Sequence, residues 1–578
     1  MDKKQQLLAL TLCGLVGMAH AGEKEELLKL RNTTTNLIKE LVKQGILTQQ
    51  AAEEMIKRAE ADAEAQAQQL ATAPGHDEPL EPGEVRVPYV PEFVKDEIRE
   101  QVRKELKADV VKDVVQEAKS KKWGVPDALP EWISRIKLSG DLRLRSQNEF
   151  MASDNIANSG SETYYRNYQA INTAGGETAA RNNAYINTKQ DRHRLRERLR
   201  LAIDAKITEG LNAGVRLATS NIPDPVSTNQ TLGNTGAQYA FNVDRAFLRY
   251  DAVDAQGFKW LTLSGGRVAN PWYVGGGEFT GGSELVWDTD LSFEGLVGTI
   301  RHRLTSSHPT HPEEDNRHSA FFTLGAFPLQ ESQLTANDKW LFGSQLGVDW
   351  GFDNHDVFKM ALAYFDYENV EAVPNSRANP ICSTNYALND LSVPQFVQFG
   401  NTMAPICNEN SSSVSGALPG LYGLASDFNI INLALAYDLA KFAPYHLIIA
   451  GDFAKNIGYD INRVRERTNA LAGTPVTDLN DETNAWQVRM DFGWPKVEYT
   501  GQWNVFALYK YVERDSVLDA FSDSDFHLGG TNAKGWVVGG NYGLMKNVWA
   551  TGRWLSTDVI SGPKYSNDIL QLDVNTRF

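Results

Sequence analysis

Five arginines occupy every second position of one short segment in this 578-residue chain. The segment reads "DRHRLRERLRLAID", and its arginines are Arg192, Arg194, Arg196, Arg198 and Arg200. The opposite positions include Leu195, Leu199, Leu201 and Ile203. Side chains alternate between the two faces of a β-strand, so an extended segment places all five guanidinium groups on one face. Such a row could guide anionic or polyhydroxylated solutes, or its arginines could pair with acids of the same protein.

Two further features extend this charge pattern. Arg143 and Arg145 alternate in the same way in "RIKLSGDLRLR", and Arg216 follows in a later segment. Downstream, "GGRVANPWYVGGGEFTGGSELVWDTDLSFEG" carries four acids, which are Glu278, Glu284, Asp288 and Asp290. Glycines at 275–277 and 281–282 permit the tight bends that an inward-folded loop needs. An ordinary surface loop is the alternative interpretation of this stretch.

Apolar and polar residues alternate through most of the chain after Ser134, and this period of two predicts the strands that carry the charges. "AWQVRMDFGW" and "YTGQWNVFALYKY" are two examples. Sixteen segments qualify: 136–148, 192–205, 210–220, 240–252, 258–268, 292–304, 319–328, 340–351, 356–367, 428–438, 445–455, 484–494, 497–511, 535–544, 548–557 and 567–578. Alternation alone does not separate a soluble β-sandwich from a membrane barrel, because both have one apolar face.

The lengths of the connections distinguish these two architectures. Short connections such as "KITEG", "DNHD", "WPK" and "LMKN" alternate with long ones such as 149–191, 269–291, 368–427, 456–483 and 512–534. Outer-membrane barrels have short turns at one end and long loops at the other, with an even number of strands. One stretch, "TSSHPTHPEEDNRH", is too long for a tight turn. The sequence therefore predicts an all-β transmembrane barrel of about sixteen antiparallel strands over 136–578.

The composition fits a barrel and excludes other classes. A net charge of -16 and a sequence pI of about 5.2 argue against a nucleic-acid-binding protein. After the N-terminus, no segment approaches the roughly 18 unbroken apolar residues of a membrane helix. In a membrane barrel the apolar face contacts lipid, and an arginine facing lipid near the midplane costs about 2–4 kcal/mol. The arginine row is therefore predicted to face the lumen.

The N-terminal region has a different pattern. Residues 1–21 combine two early lysines, an apolar core and the sequence Ala19-His20-Ala21, which predicts a signal peptide cleaved after Ala21; a short buried helix is the alternative. Heptad-like leucines predict a helical or coiled-coil region at 22–74, followed by a Pro/Gly-rich linker at 75–92. A second helical segment and linker is predicted at 93–135. These narrow apolar stripes favour self-association.

Cysteine and histidine residues offer few further sites. The exported chain keeps Cys382 and Cys407, which are predicted to form one disulfide in an oxidising compartment; two free thiols are the alternative. His308, His311 and His318 lie in the long turn, but no carboxylate and cysteine framework accompanies them. We find no nucleophile elbow or phosphate-binding motif, so we expect no enzyme activity, no metal and no cofactor.

The chain ends "NDILQLDVNTRF", with alternating apolar residues up to the terminal Phe578. This ending, the sixteen strands and the signal peptide resemble the outer-membrane porins of Gram-negative bacteria. The helical prefix with "PEFVKDEIR" and "WGVPDALPEWISRIKLSGDLRLR" resembles the group known as putative porins. The resemblance implies that Phe578 is an assembly signal read by the barrel insertion machinery. It also implies that the loop after the fifth strand folds into the lumen, with its acids facing a basic wall.

These observations predict an outer-membrane porin with a periplasmic helical prefix. The expected function is passive diffusion of small hydrophilic solutes, including anions, through a water-filled channel. The expected partners are membrane lipid, the insertion machinery and two further copies in a homotrimer, with no nucleic acid. The alternative is a structural protein that tethers the outer membrane to the cell wall or to a partner through its helical prefix.

Overall fold

The structure, a computed structural model, describes residues 131–156, 165–221, 224–274, 284–305, 318–382, 388–409, 418–472 and 476–578. The predicted signal peptide at 1–21, the helical region at 22–74 and the linker at 75–92 lie outside these residues. Only the last residues of the predicted segment 93–135 fall inside, where Glu131–Arg135 forms a short 3-10 helix. Among the described residues, no helix has the length and apolar character needed to cross a bilayer.

A single antiparallel sheet closes on itself, because β1 pairs with β19 as well as with β2. The strands are β1 (Ile136–Met151), β2 (Arg192–Lys206), β3 (Leu211–Thr219), β4 (Gln230–Thr231), β5 (Phe241–Val253), β6 (Lys259–Ala269), β7 (Ser292–Arg303), β8 (His318–Gln330), β9 (Lys339–Gly351), β10 (Val357–Glu368), β11 (Met403–Asn408), β12 (Pro419–Leu424), β13 (Asn429–Leu439), β14 (His446–Asn456), β15 (Asn484–Gly493), β16 (Trp503–Val512), β17 (Ala533–Met545), β18 (Val548–Val559) and β19 (Ser566–Arg577). β4 has only two residues, and β11 and β12 form a separate hairpin, so the closed barrel has sixteen full strands.

Short helices occur only in connections among the described residues. The α-helices are α1 (Tyr168–Ala174), α2 (Glu177–Ala180) and α3 (Ile461–Asn469). Further 3-10 helices are Arg181–Ala184, Leu388–Ser392, Ala440–Phe442, Asp519–Phe521 and Phe526–Leu528.

The sixteen strands coincide with the sixteen predicted segments, with one correction. The segment 497–511 was predicted as one strand, but β16 begins at Trp503. The Gln502 side chain accepts the backbone N–H groups of Glu498 and Tyr499 at 2.7 and 2.9 Å, and this closes a turn. Gly501 lies in that turn with φ +82°, a left-handed conformation that interrupts the extended backbone. Tyr499 therefore belongs to the turn and not to an apolar strand face.

The outer face of the barrel is apolar and the inner face is largely polar. Leu195, Leu296 and Leu346 are 61%, 70% and 60% exposed on the outer face. Their inward-facing neighbours Arg196 and Gln345 are 7% and 1% exposed. A soluble sandwich buries its apolar face, whereas a membrane barrel turns that face to lipid.

The lumen itself has an apolar side and a polar side. Inward-facing side chains on β8, β9, β10 and β13 include Phe327, Leu341, Phe365 and Ile430, all fully buried. Inward-facing side chains on β1, β2 and β19 include Arg145, Gln147, Arg196, Gln571 and Asp573. Apolar loop residues therefore have a wall to pack against on one side, while the opposite side stays charged.

Three loops cover the apolar side from inside the barrel. Trp272 and Trp287, from the loop after β6, pack edge-to-face against Phe365 with ring centroids 5.1 and 4.9 Å apart. The loop between β10 and β13 carries the β11–β12 hairpin and the predicted Cys382–Cys407 disulfide, which is present. Residues 513–532, here called the lumenal strap, connect β16 to β17.

The lumenal strap is tied to the loop between β10 and β13. The Asn401 side chain donates to the carbonyl oxygens of Arg514 and Val517 at 2.7 and 2.9 Å. Its amide oxygen accepts the backbone N–H of Asp519 at 2.8 Å. One buried amide therefore satisfies three backbone groups of the strap and fixes its path across the lumen.

Candidate functional site

The arginine row lies on the lumenal face of β2, and the two arginines of β1 lie directly beside it. The strand register sets Arg143 opposite Arg198 and Arg145 opposite Arg196. Like charges facing each other across two strands repel, so the fold needs carboxylates among them. The positions of those carboxylates determine which arginines remain available to a solute.

Arg145 is the most deeply paired of the arginines. Its Nε and Nη2 atoms each lie 2.9 Å from the Asp573 carboxylate on β19. Its Nη1 lies 2.9 Å from Asp525 of the lumenal strap, and Arg553 on β18 contacts the same Asp525 oxygen at 2.8 Å. Burial opposes ionisation of Asp525, but Arg145 and Arg553 outweigh it and hold the pKa of Asp525 well below its usual value.

Arg198 and Arg200 share two carboxylates. Asp141 on β1 accepts from Arg198 at 2.9 Å and from Arg200 at 2.8 Å. Asp290, from the loop after β6, lies 3.0 Å from Arg200 and 3.7 Å from Arg198. Burial by itself raises the pKa of Asp290. The adjacent arginines lower this pKa by more than burial raises it, so the carboxylate stays ionised.

Arg194 and Arg216 also form ion pairs, with Glu149 and Asp244 respectively. Arg192 is exposed at the end of β2 that carries the long loops.

Arg143 and Arg196 contact neutral groups instead of acids. Arg143 donates to the Asn229 side chain. Arg196 donates to Gln147 Oε1 at 3.2 Å and to Ser227 Oγ at 3.5 Å. Within the ranges that the structure describes, no carboxylate oxygen lies within 4.0 Å of a guanidinium nitrogen of Arg143 or Arg196. Arg196 is therefore a buried cation and Arg143 a half-buried one, and neither has an acidic partner in that part of the chain.

The acids predicted in the loop after β6 separate into two groups. Asp290 faces the arginine row, as described above. Asp288 instead accepts the backbone N–H groups of Asp290 and Ser524 at 2.8 and 2.9 Å. Glu284 accepts Thr289 Oγ1 at 2.7 Å, and Glu278 lies outside the described residues.

Glu284 and Asp288 gather with Asp523 of the strap, and one carboxylate oxygen from each of the three lies within 4.8 Å of the other two. Burial raises the pKa of Asp288, and the neighbouring carboxylates raise it further. Lys510 on β16 pairs with Asp523 and donates to the Glu284 carbonyl at 3.1 Å, so a lysine already occupies the position of a counter-ion. Among the described acids of this loop, Asp290 therefore faces the arginines, whereas Glu284 and Asp288 gather with Asp523.

Several charged residues of the site were not predicted from the sequence. Asp141 and Asp573 lie on the polar faces of β1 and β19, so the alternation that located the arginines could also have located them. Asp523 and Asp525 lie in "DSVLDAFSDSDFHLGG", which has no period, so no sequence signal placed them beside Arg145.

Two cavities follow the charged side of the lumen, one on each side of the strap residue Ser524, which lines both. The outer cavity, towards the long loops, has a volume of about 410 Å³. Its charged lining residues are Arg192, Arg194, Arg196, Glu149 and Asp224. The inner cavity, towards the short turns, has a volume of about 260 Å³. Its charged lining residues are Arg143, Arg145, Arg198, Arg489, Arg553, Glu284, Asp288, Asp290, Asp523, Asp525 and Asp573.

The terminal residue completes the closure of the barrel. The Phe578 N–H donates to the Gly140 carbonyl at 3.0 Å, and the Gly140 N–H donates back to Phe578 at 2.9 Å. The Phe578 side chain is exposed.

The third histidine of the long turn, His318, contacts the Gly351 carbonyl at 2.7 Å, and His308 and His311 lie outside the described residues.

A closed sixteen-stranded barrel with an apolar outer face and charged lumenal cavities defines an outer-membrane channel protein. A family model described as "Putative porin" matches residues 31–578. The chain belongs to this family of non-enzymatic outer-membrane channels.

Solved structures of porins are similar to this chain at low sequence identity. OprB of Pseudomonas putida is 9% identical, with a TM-score of 0.41, and 79% of this chain and 97% of that chain are covered. The channel DcaP of Acinetobacter baumannii is 8% identical, with a TM-score of 0.36, covering 77% and 97%. A mutant of the Rhodopseudomonas blastica porin is 12% identical, with a TM-score of 0.33, covering 77% and 100%. No curated protein sequence matches.

Proposed function

We propose that this channel passes small hydrophilic solutes by passive diffusion and favours anions over cations. The route follows the charged side of the lumen, through the outer cavity, past the strap, and into the inner cavity. Loops cover the apolar side of the lumen, so the proposed path of water and solutes runs along the wall formed by β1, β2 and the strands beside them.

The pairing of the arginines supports the preference for anions. In the outer cavity three arginines face two carboxylates, and the described partners of Arg196 are an amide and a hydroxyl. In the inner cavity six carboxylates face five arginines, and Arg143 donates there to the neutral Asn229 side chain. A surplus cation in a narrow, low-dielectric passage attracts anions and repels cations. The unpaired Arg196 is the observation that carries the proposal.

The experiment is a reversal-potential measurement in planar bilayers across a salt gradient. Arg196→Gln should move the reversal potential towards cations, and Arg143→Gln should move it in the same direction. Arg463→Gln removes the same charge from an exposed position on α3 and should leave the potential unchanged. Equal potentials for the wild type, Arg196→Gln and Arg143→Gln would refute the proposed role of these arginines.

The proposed assembly is a homotrimer in the outer membrane, with the segments 22–74 and 93–135 supporting it from the periplasm. Deleting 22–130 tests both this role and the alternative tether. A channel whose prefix supports assembly keeps single-channel conductance but loses trimers in native mass spectrometry. A tether keeps its trimers and loses attachment between membrane and cell wall.

A further inference from the structure

The barrel wall separates between the long-loop ends of β7 and β8. The pairing of these strands runs from Arg303 opposite Ser319 to Leu296 opposite Ala326, and it ends there. Above that level Ser292 to Gly295 continue to pair with β6, and Phe327 to Gln330 continue to pair with β9. Each strand therefore keeps one neighbour and loses the other.

Two residues account for the end of this pairing. Gly295 has φ +143°, and a Cβ atom at this position would lie 2.2 Å from the Ala326 carbonyl oxygen. Only glycine allows this close approach in a conformation that turns β7 away from the regular ladder. Two residues beyond Ala326 on β8 is Pro328, which has no N–H to donate to a neighbouring strand.

A crevice of about 210 Å³ occupies the gap, and its lining comes from both faces of the wall. Phe293 and Phe327 belong to the lumenal face, where their rings pack 5.1 Å apart. Glu294 lies on the same face of β7 as Leu296, which is 70% exposed on the outside. The crevice therefore reaches from the outer surface to the apolar loop residues inside the barrel.

The interior of the crevice is mainly apolar, although the buried side chains of Asp519 and Lys339 also line it, and its mouth carries an ion pair. Inside, the lining residues from the loops include Val370, Phe396, Val397, Leu424, Leu518 and Phe521. At the mouth, Glu294 pairs with Arg267 at 2.6 Å, and the Glu294 side chain is 60% exposed. Directly below, Leu296 and Leu324 belong to the lipid-facing apolar surface. An apolar slot that opens where lipid-facing leucines give way to an ion pair fits a molecule with an apolar chain and a polar head.

We propose that this crevice is a lateral binding site for the hydrocarbon chain of a single-chain amphiphile, such as a free fatty acid, entering from the membrane. The chain lies among Phe293, Phe327 and Phe396, and the head group remains outside at the level of Arg267. A crevice of this volume holds one chain segment, so a two-chain phospholipid would leave its second chain in the bilayer. The crevice shares Phe396 and Val397 with the outer cavity but none of the charged lining residues of that cavity, and the proposal does not depend on the anion preference.

Photolabelling of the full-length mature protein in liposomes tests this proposal. The probe is a fatty acid with a diazirine at its terminal carbon, and mass spectrometry locates the adducts. We expect adducts on Phe293, Phe327 and Leu329, which line the crevice and not the outer cavity. Leu329→Trp fills the crevice and should abolish these adducts, whereas Leu324→Trp, on the lipid-facing surface of the same strand, should preserve them.

Three results would overturn the proposal. The first is labelling confined to outer-face residues such as Leu296 and Leu324. The second is unchanged crevice labelling in Leu329→Trp. The third is equal crevice labelling by a diazirine phospholipid, which would reject the single-chain class. Heat-modifiable migration in gels verifies folding of each variant, and Val370→Phe, which fills the crevice from the loop side, replaces Leu329→Trp if that variant fails to fold.

Discussion

Asp525 of the lumenal strap provides the most direct test of how the charged lumen is held together. Its carboxylate contacts Arg145 at 2.9 and 3.1 Å and Arg553 at 2.8 Å, and its side chain is 16% exposed. Asp525→Asn keeps the size of the side chain and removes its charge. Arg145 then retains Asp573, so the cation that loses its only described acidic partner is Arg553.

The expected cost follows from this distribution of partners. Removing one member of a buried ion pair typically costs about 3–5 kcal/mol, because the other charge is left buried and uncompensated. Arg145 stays compensated and Arg553 is one-fifth exposed, so we expect a loss near the lower limit, about 3 kcal/mol. The freed positive charge should also shift the reversal potential further towards anions.

The assay is urea unfolding of the barrel refolded into lipid vesicles, followed by tryptophan fluorescence. Asp154→Asn is the matched control, because Asp154 pairs with Lys564 at an exposed position and its removal should leave stability unchanged. If Asp525→Asn unfolds at the same urea concentration as the wild type, the strap is not anchored by this carboxylate. If both variants lose the same stability, the assay does not report on the buried pair.

Three further predictions concern the loops and the end of the chain. Cys382→Ser opens a disulfide that joins residues 25 apart in the sequence. The loop between β10 and β13 should then be cleaved faster in limited proteolysis, and unchanged cleavage would contradict this. Burial raises the pKa of Asp519 to about 7. The strap in its packed position therefore favours the protonated carboxyl, and its packing in the lumen weakens as the pH rises from the usual carboxyl range through about 7. Current noise should therefore be greater at pH 8 than at pH 5, and Asp519→Asn should remove the difference; noise that rises at low pH would have the wrong sign. Deleting Phe578 removes the backbone hydrogen bonds with Gly140 and the proposed assembly signal, so less of the barrel should insert into the outer membrane. The heat-modifiable fraction in gels measures this insertion, and the exposed-site variant Arg463→Gln should insert normally.

The strands and their faces could be predicted because period two is a local property of the sequence. Arg194 and Leu195 are assigned to opposite faces by their neighbours alone, and the closed barrel follows from strand count and loop length. The start of β16 was misplaced because the Gln502 side chain closes a turn inside an alternating segment. Side-chain capping of this kind has no periodic signature.

The partners of the arginines could be predicted only where they lie on strands. Asp141 shares a face with Arg143 by simple alternation, whereas Asp525 reaches Arg145 from a loop 380 residues later in the chain. The position of a loop inside a barrel depends on which lumenal side is apolar enough to pack against it. That property belongs to four different strands together and is not visible in any one segment.

The separation of β7 from β8 also depends on two distant residues acting together. Gly295 and Pro328 are each unremarkable in a strand, and their effect arises because the register places them near the same end of one ladder.

The most direct test of the central claim is the reversal potential of the wild-type mature protein in a planar bilayer across a potassium chloride gradient. An anion-selective lumen predicts open-channel steps with a reversal potential displaced towards the equilibrium potential of chloride. Channel steps displaced towards that of potassium would contradict the role assigned to Arg143 and Arg196. Folded protein that gives no steps would contradict the open path along the charged side of the lumen.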